Sequence, residues 1–281
     1  MQIFEGLSGF PITPLKNGRV DFEVLKQIRD HLDQSGLDSI GVLGSTGSFA
    51  YLSEPERALV MEAWSGIQTP WIAGVSATTT AEAIRHSKMA HRNGASGVIA
   101  NAFSYVPLSV DELERYFLEL AESSPLPLCI YDNPVNTGQS LSIDLLARLS
   151  AHANVHAIKA FAQADNREQH EQLSQLNWKA GYAVDFNACE AMINGGSAWY
   201  STLAGTLPEA LVPIMRAIRS GDLAAARALD AQLHPVYEAM KSHSGFRVVH
   251  QIACQRGWTC QLPPPIQTPQ KLNIDLSHWL V

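Results

Sequence analysis

The chain alternates between short apolar runs of strand length and longer segments in which apolar residues recur at helical spacing. Runs that are apolar on both faces are typical of parallel strands, because helices cover such strands from outside. The predicted strands are Leu7–Ile12, Leu37–Leu43, Trp71–Val75, Gly97–Ala100, Leu126–Tyr131, Val155–Ala160, Lys179–Val184 and Ala198–Leu203. The pattern therefore predicts repeated strand-then-helix units.

The segments between these runs have the amphipathic spacing of surface helices. Ser53 and Ser109 precede acidic first turns, as helix N-caps do. Gly36, Gly94 and Gly221 follow helical patterns, as C-terminal glycines do. The predicted helices include Asp21–Gln34, Glu54–Ile67, Thr80–Arg92, Ser109–Glu122, Ser142–Ser150 and Pro208–Ile218.

Eight strand-then-helix units within 281 residues are what a (β/α)8 TIM barrel requires. A doubly wound parallel sheet is the competing arrangement. That sheet normally carries a glycine-rich dinucleotide turn after its first strand, and the segment Gly9–Pro14 is not such a turn. We therefore predict an α/β fold with a TIM barrel over residues 1–221. An Ala-rich helical pattern predicts a small C-terminal helical region over residues 222–281.

The charge and composition exclude several partner classes. The net charge of −7 and the lack of a Lys/Arg cluster argue against binding to nucleic acid or to an anionic membrane. The longest apolar runs are shorter than a membrane span, and the first residues lack the features of a secretory signal. We therefore expect a cytoplasmic protein.

The pattern of cysteine and histidine residues does not predict a metal site. His152 and His156 are four residues apart, but no helical pattern surrounds them, so solvated histidines are favoured. The absence of C-x-x-C spacing fits a reducing compartment and gives no support to structural zinc. The cysteines are Cys129, Cys189, Cys254 and Cys260.

A lysine, Lys159, interrupts the predicted strand Val155–Ala160. A buried ammonium is costly, and a desolvated lysine has a lowered pKa that leaves a neutral amine able to attack a carbonyl carbon. The competing interpretation is a lysine that extends from a strand end to solvent. Tyr131 precedes Lys159 by one βα unit, so the two side chains would come from adjacent strands of the barrel.

Other polar and aromatic residues follow predicted strands at the end where barrel active sites lie. Tyr131 can act as a general acid or base at its strand end, although a tyrosine at the barrel rim is the alternative. The turn that contains Ser45, Thr46 and Gly47 can present hydroxyl and N–H groups to a carboxylate, or it can be an ordinary turn. Tyr105 lies in a loop after the fourth strand, where packing is the commoner role.

In this order, the motifs resemble the family of dihydrodipicolinate synthase and N-acetylneuraminate lyase, barrel enzymes that form a Schiff base with pyruvate. The resemblance runs over nearly the whole chain. The motifs are Ile12-Thr13-Pro14, Gly-Ser-Thr-Gly at 44–47, Tyr-x-x-Pro-x-x-Thr-Gly at 131–138, Ile158-Lys159 and Gly195-Gly196.

The resemblance implies a role for each candidate. Lys159 would be the Schiff-base nucleophile, Tyr131 would shuttle protons, and Ser45 would relay protons to Tyr131. Thr46 and the neighbouring Gly47 N–H would hold the carboxylate of pyruvate or a related 2-keto acid. Tyr105 would reach the partner's site across a subunit interface, which implies a homodimer or homotetramer. No metal or organic cofactor is implied, because the protonated imine supplies the electrophile.

Some residues depart from the pattern of the synthases. Asn136 stands where they carry an arginine that binds the second substrate's carboxylate, and a neutral amide loses that charge-assisted pair. By sequence, Arg167 and Lys179 are the cations that could replace it.

The neighbours of Lys159 also depart from the family pattern. Ala160-Phe161 follow Lys159 where many members have Glu-Ala, which would make the pocket more apolar and lower the lysine pKa further. Phe161, Tyr182 and Tyr200 suggest an aromatic substrate pocket, with Tyr200 as a binding residue.

The leading hypothesis is a class I lyase or aldolase that makes or breaks a carbon–carbon bond next to a lysine-bound 2-keto acid, with an aldehyde as a further partner. One alternative is 4-hydroxy-tetrahydrodipicolinate synthase itself. Another is a catalytically silent relative that binds a 2-keto acid.

Overall fold

The computed structural model describes residues 2–258, 261–267 and 274–280. Cys260, one of the cysteines considered above, lies outside these residues. Eight parallel strands close into a barrel in which each strand pairs with its sequence neighbours and the last pairs with the first. They are β1 (Gly6–Gly9), β2 (Ser39–Val42), β3 (Trp71–Gly74), β4 (Gly97–Ala100), β5 (Leu128–Tyr131), β6 (Val155–Phe161), β7 (Lys179–Ala183) and β8 (Ala198–Ser201). The predicted TIM barrel is confirmed.

Helices follow the strands and cover the barrel. They are α1 (Phe22–Asp33), α2 (Glu54–Ala63), α3 (Thr80–Arg92), α4 (Val110–Ser123), α5 (Ile143–Ser150), α6 (Arg167–Ser174), α7 (Asp185–Ile193) and α8 (Pro208–Ser220). Short additions are the hairpin Leu15–Lys16 with Arg19–Val20, the one-turn helix Pro134–Thr137 and the 3-10 turns Gln2–Phe4, Phe49–Tyr51 and Leu203–Gly205.

Capping contacts confirm the predicted starts of α2 and α4, whereas α2 ends at Ala63 and not at the predicted Ile67. Ser53 and Ser109 form capping boxes at the starts of α2 and α4, in which the glutamate three residues later returns a hydrogen bond. Gly36, Gly94 and Gly221 follow α1, α3 and α8 with positive φ angles, a conformation that glycine adopts without steric cost. The helix ends are therefore specified locally.

The core has an inner and an outer layer. Inside the barrel, a cluster that includes Phe4, Phe10, Cys129 and Tyr200 fills the space between the strands. Outside, the apolar faces of the helices pack on the opposite faces of the strands. Because side chains alternate along a strand, neighbouring residues of one strand belong to different layers.

After α8 the chain continues as three helices, α9 (Leu223–Ala231), α10 (His234–His243) and α11 (Gly245–Gln255). The first of these begins after Asp222, whose side chain caps it. The described part of the chain beyond α8 is therefore mainly helical, and its treatment as a region separate from residues 1–221 stays a prediction. None of the described helices combines the length and hydrophobicity needed to cross a membrane.

Candidate active site

Lys159 lies in β6 with its side chain inside the barrel, and only 4% of the residue is exposed. Tyr131 is the last residue of β5, and the parallel register places it directly beside Lys159. The Lys159 Nζ atom lies 4.3 Å from the centroid of the Tyr131 ring. The two residues that the sequence separates by one βα unit are thus adjacent in the fold.

Aromatic rings surround the Lys159 amine. Its Nζ atom lies 3.8 Å from the Phe10 ring centroid and 5.8 Å from that of Tyr200. Burial lowers the pKa of Lys159 to about 8, and electrostatic interactions with the acidic groups of Cys129 and Asp185 only partly oppose this change. About a tenth of the amine is therefore uncharged at pH 7, far more than for an exposed lysine, and this neutral form is the one that can act as a nucleophile.

Tyr131 is held as a proton donor. Burial raises its pKa to about 12, and a hydrogen bond with the Ser45 side chain partly offsets the rise. The hydroxyl therefore stays protonated at neutral pH and can donate to an oxygen bound beside Lys159. The structure brings Ser45, Tyr131 and Lys159 into one chain of contacts.

The turn after β2 is held in a strained conformation. Leu43 and Ser48, which flank it, have φ angles of +57° and +60°. The Thr13 hydroxyl donates to the Gly47 carbonyl oxygen at 2.7 Å and holds the turn against the segment that follows β1. Left-handed backbone at non-glycine residues is costly and recurs at functional sites.

Thr46 projects from this turn toward the segment after β8. Its hydroxyl lies 3.2 Å from that of Thr202, and Thr46 itself is buried. Two hydroxyl groups therefore meet at the carboxyl end of the barrel, where they can serve a carboxylate. Thr202 was missed by the sequence analysis, because it falls inside the predicted strand Ala198–Leu203.

A buried carboxylate, Asp185, was also missed. It accepts hydrogen bonds from Trp199 Nε1 at 2.9 Å, Ser201 Oγ at 2.5 Å and the Leu203 N–H at 3.0 Å. These contacts tie the start of α7 to the end of β8. The signal that could have revealed it is an acidic residue directly after the predicted strand Lys179–Val184.

Two other candidates lie away from Lys159. Tyr105 is fully exposed in the loop between β4 and α4, and it contacts no part of the site within this chain. Asn136 is exposed in the one-turn helix Pro134–Thr137 that follows β5. Tyr200 is fully buried, with its hydroxyl 3.6 Å from Cys129 Sγ, so it lies inside the barrel beneath the lysine.

Several expectations about the pocket walls are wrong. Ala160 and Tyr182 lie in the outer layer between strands and helices, because the alternation that turns Lys159 inward turns Ala160 outward. Lys179 begins β7 at the opposite end of the barrel and pairs with Glu5 at 3.0 Å. Arg167 is exposed and pairs with Asp165 at 2.9 Å. Lys179 therefore lies too far from the carboxyl end of the barrel to replace the arginine, and Arg167 is engaged with Asp165.

Among residues 2–258, 261–267 and 274–280, no three histidine, cysteine, aspartate or glutamate side chains are grouped as metal ligands. His152 lies in a turn and His156 in β6. The groups around Lys159 are two phenols, several aliphatic hydroxyls, the Cys129 thiol and the Asp185 carboxyl group.

Comparison with known proteins agrees with this geometry. Residues 3–272 match the model of the dihydrodipicolinate synthetase family. The chain is 30% identical over 250 residues to a 4-hydroxy-tetrahydrodipicolinate synthase of Syntrophus aciditrophicus, which covers 85% of this chain and 83% of that protein.

Solved structures are similar over almost the entire chain. The crystal structure of a dihydrodipicolinate synthase from Agrobacterium tumefaciens has a TM-score of 0.92 and 36% identity, covering 95% of this chain and 93% of that one. A dihydrodipicolinate synthase from Acinetobacter baumannii, crystallised with pyruvate, has a TM-score of 0.87 and 25% identity, with 96% and 95% covered. The chain therefore belongs to the dihydrodipicolinate synthetase family and is a lyase of the Schiff-base aldolase type.

Proposed function

We propose that Lys159 forms the Schiff base with a small 2-keto acid of the pyruvate class, in a cytoplasmic enzyme. The observation that carries this assignment is the position of the Lys159 amine, which is buried beside Tyr131 with a pKa lowered to about 8. Pyruvate is bound by the Acinetobacter relative, which supports the choice of keto acid.

The proposed reaction begins when the neutral Lys159 amine attacks the keto carbon. Tyr131 gives its proton to the oxygen and takes one from the nitrogen, which produces a neutral carbinolamine. A second proton on the hydroxyl group releases water and leaves a protonated imine. Ser45 relays these protons to and from Tyr131. The imine then withdraws electrons while the adjacent carbon–carbon bond forms or breaks, and no further cofactor is needed.

The carboxylate of the keto acid is assigned to the turn after β2. Thr46 and the Gly47 N–H would bind it. Because the Thr202 hydroxyl lies 3.2 Å from that of Thr46, it could bind the same carboxylate oxygen atoms. Asn136 and Tyr200 remain proposed contributors to substrate binding. Asn136 lies on the rim, where it would meet a second substrate, and Tyr200 forms the floor below the lysine.

The exposure of Tyr105 supports a homo-oligomer. A fully exposed tyrosine next to Val106, which is 65% exposed, is an unusual surface for a monomer. In a homodimer or homotetramer, Tyr105 would extend the relay of Ser45 and Tyr131 in the partner subunit. Analytical ultracentrifugation of the purified chain and of Tyr105→Ala tests this assembly.

Borohydride trapping with pyruvate tests the central assignment. Incubation with pyruvate and sodium borohydride should add one reduced keto acid to the wild-type chain, and peptide mass spectrometry should place it on Lys159. Lys159→Ala should give no adduct. Tyr131→Phe should slow adduct formation by about 100- to 10,000-fold, because it removes the proton donor.

Two controls make the result decisive. Lys179→Ala removes an exposed lysine of the neighbouring strand and should trap at the wild-type rate. A wild-type chain that gives no adduct with pyruvate or with longer 2-keto acids would contradict the proposal. An adduct without turnover of any aldehyde pair would favour the silent keto-acid-binding alternative.

The second candidate is 4-hydroxy-tetrahydrodipicolinate synthase activity, which the name of the Syntrophus relative favours. Asn136 argues against it, because an amide cannot form a charge-assisted pair with a second carboxylate. A coupled assay with pyruvate and aspartate semialdehyde decides between the two. Normal turnover by the wild type would establish the synthase, whereas turnover that appears only in Asn136→Arg would support a different natural aldehyde.

A further inference from the structure

The Lys159 amine rests on three aromatic rings, which we call the aromatic floor: Phe10, Tyr131 and Tyr200. The Phe10 ring centroid is the nearest of the three, at 3.8 Å from Nζ. At this distance the face of the ring is in contact with the nitrogen. Any atom covalently attached to that nitrogen must also lie close to the Phe10 ring.

The aromatic floor is the main surface that faces the positive charge. Among the described residues, no carboxylate oxygen lies within ion-pair distance of Lys159 Nζ. The buried carboxylate that acts on the Lys159 pKa, Asp185, accepts hydrogen bonds from Trp199, Ser201 and Leu203. A cation over an aromatic face is attracted by the ring quadrupole, and the attraction grows when water is excluded.

The position of Phe10 is built into the fold. A Cβ atom on Gly41 or Gly44 would approach the Phe10 ring to 2.3 Å or 2.7 Å, so both strand β2 and its following turn leave room for the ring. The Tyr200 ring packs edge-on against Phe10, with centroids 5.9 Å apart and an interplanar angle of 84°. Phe10 is 1% exposed, so its neighbours restrict the side chain to this position.

We propose that Phe10 is a further catalytic residue, whose ring face stabilises the positive charge on Nζ in the protonated imine. This inference rests on the proposed function of Lys159. The reaction passes through a neutral carbinolamine and ends at an iminium cation, with one proton taken up and one water released. A ring that attracts cations favours the iminium over the carbinolamine and also favours ammonium over the free amine.

Other titratable groups face the same amine and bear on its pH dependence. Cys129 and Tyr131 come from β5, Tyr200 from β8, and Asp185 from the start of α7. Burial raises the pKa of Cys129 to about 12 and of Tyr131 to about 12, so both stay uncharged near neutral pH. Burial also raises the pKa of Tyr200 well above its usual value, and it raises the pKa of Asp185. Substitutions at Phe10 must therefore be tested in a chain that keeps Cys129, Tyr131, Asp185 and Tyr200.

Two substitutions at position 10 separate the ring's charge distribution from its shape. Phe10→Leu removes the aromatic face, and 3,4,5-trifluorophenylalanine at position 10 keeps the shape while weakening the negative face. Both should move the midpoint of the acid limb for pyruvate trapping to lower pH by about 0.5–1.5 units. Both should lower the limiting trapping rate by roughly 3- to 30-fold.

A matched control uses the same residue type in the same inner cluster. Phe4→Leu changes a buried phenylalanine that precedes β1, and it should leave midpoint and rate unchanged. Thermal unfolding of each variant shows whether the chain folds. If the leucine variant fails to fold, the trifluoro variant carries the test. Wild-type midpoint and rate in the trifluoro variant would overturn the inference.

A measurement without keto acid separates this inference from the proposed function. The pH dependence of Lys159 acylation by acetic anhydride, followed by mass spectrometry, reports the amine directly. A downward shift in the trifluoro variant shows that the Phe10 ring stabilises a positive charge on Nζ, and a wild type that forms no pyruvate adduct would then refute the proposed function of Lys159 and with it the catalytic role of Phe10, but not the contact between ring and amine. If the wild type forms the pyruvate adduct and the trifluoro variant has the wild-type acylation profile, the role of Phe10 is contradicted while the proposed function of Lys159 stands.

Discussion

Lys159 and Asp185 are both buried charged residues at the carboxyl ends of neighbouring strands, and their surroundings differ in kind. Asp185 receives hydrogen bonds from a side-chain indole, a hydroxyl and a backbone N–H. Lys159 has no hydrogen-bond acceptor or ion-pair partner among the described residues and faces aromatic rings instead. A satisfied carboxylate stabilises the strand ends, whereas an unsatisfied amine is available for chemistry.

The same difference appears in the backbone around the two groups. Asp185 follows Val184, a β-branched residue with a φ angle of +72°, which is a strained conformation that the Asp185 contacts hold in place. Lys159 lies in a strand that is paired on both sides, and the one register shift against β5 falls before it, between Val155 and Ala157. Rigid pairing fixes where the amine points, and the Asp185 contacts fix the segment that carries Thr202 next to Thr46.

Removing the Asp185 carboxylate should have the largest effect on stability. Asp185→Ala leaves the buried Trp199 indole and Leu203 N–H without an acceptor, and we expect a loss of about 2–4 kcal/mol in the free energy of unfolding. Urea unfolding followed by fluorescence measures it. Asp185→Asn keeps one acceptor oxygen and should cost less. Wild-type stability in Asp185→Ala would refute its structural role.

Removing the Lys159 charge should stabilise the fold, whereas removing the Asp185 carboxylate should destabilise it. Lys159→Met keeps a long apolar side chain and removes a buried amine whose pKa is lowered to about 8. We expect a gain of about 1–3 kcal/mol in the free energy of unfolding at pH 7, together with complete loss of the pyruvate adduct. The exposed Lys179→Met is the control and should change stability by less than about 0.5 kcal/mol. A lower free energy of unfolding in Lys159→Met would contradict the view that the buried amine destabilises the folded chain.

The pH dependence of that gain is the smallest of these effects. Between about pH 8 and 10.5, the folded chain holds Lys159 mostly neutral while the unfolded chain still binds the proton. Stability of the wild type therefore rises with pH over this window relative to Lys159→Met, which lacks the group. The gap between the two proteins should narrow by about 1–2 kcal/mol between pH 7 and 9.5. A difference in the free energy of unfolding that stays constant over this range would contradict the lowered pKa of Lys159.

The barrel and the pairing of Tyr131 with Lys159 could be predicted from sequence because both follow from local patterns. Strands that are apolar on both faces and separated by amphipathic helices close in order, and one βα unit places consecutive strand ends side by side. The Gly-Ser-Thr-Gly turn was found for the same reason, since it directly follows a strand. The separate treatment of residues 222–281 and the roles of individual site residues stay predictions.

The pocket walls could not be predicted in the same way. Ala160 is next to Lys159 in sequence but faces the helices. Phe10, which follows β1 and is distant in sequence, contacts the Lys159 amine. Which face a residue takes depends on strand register, and a shift of one residue reverses it. Tyr182 was misplaced for this reason, whereas Lys179 begins its strand and therefore lies at the end of the barrel opposite the site.

The sequence by itself determined the αβ repeat, the barrel, the caps of its helices and the lysine–tyrosine pair, because periodicity and capping operate over a few residues. Only the tertiary structure decided what surrounds the amine. Phe10 and Thr202 reach the site through closure of the barrel, and the glycines of β2 and its turn leave the space for the Phe10 ring. Contacts between the first and last strands depend on how the whole sheet closes, and no local pattern contains that information.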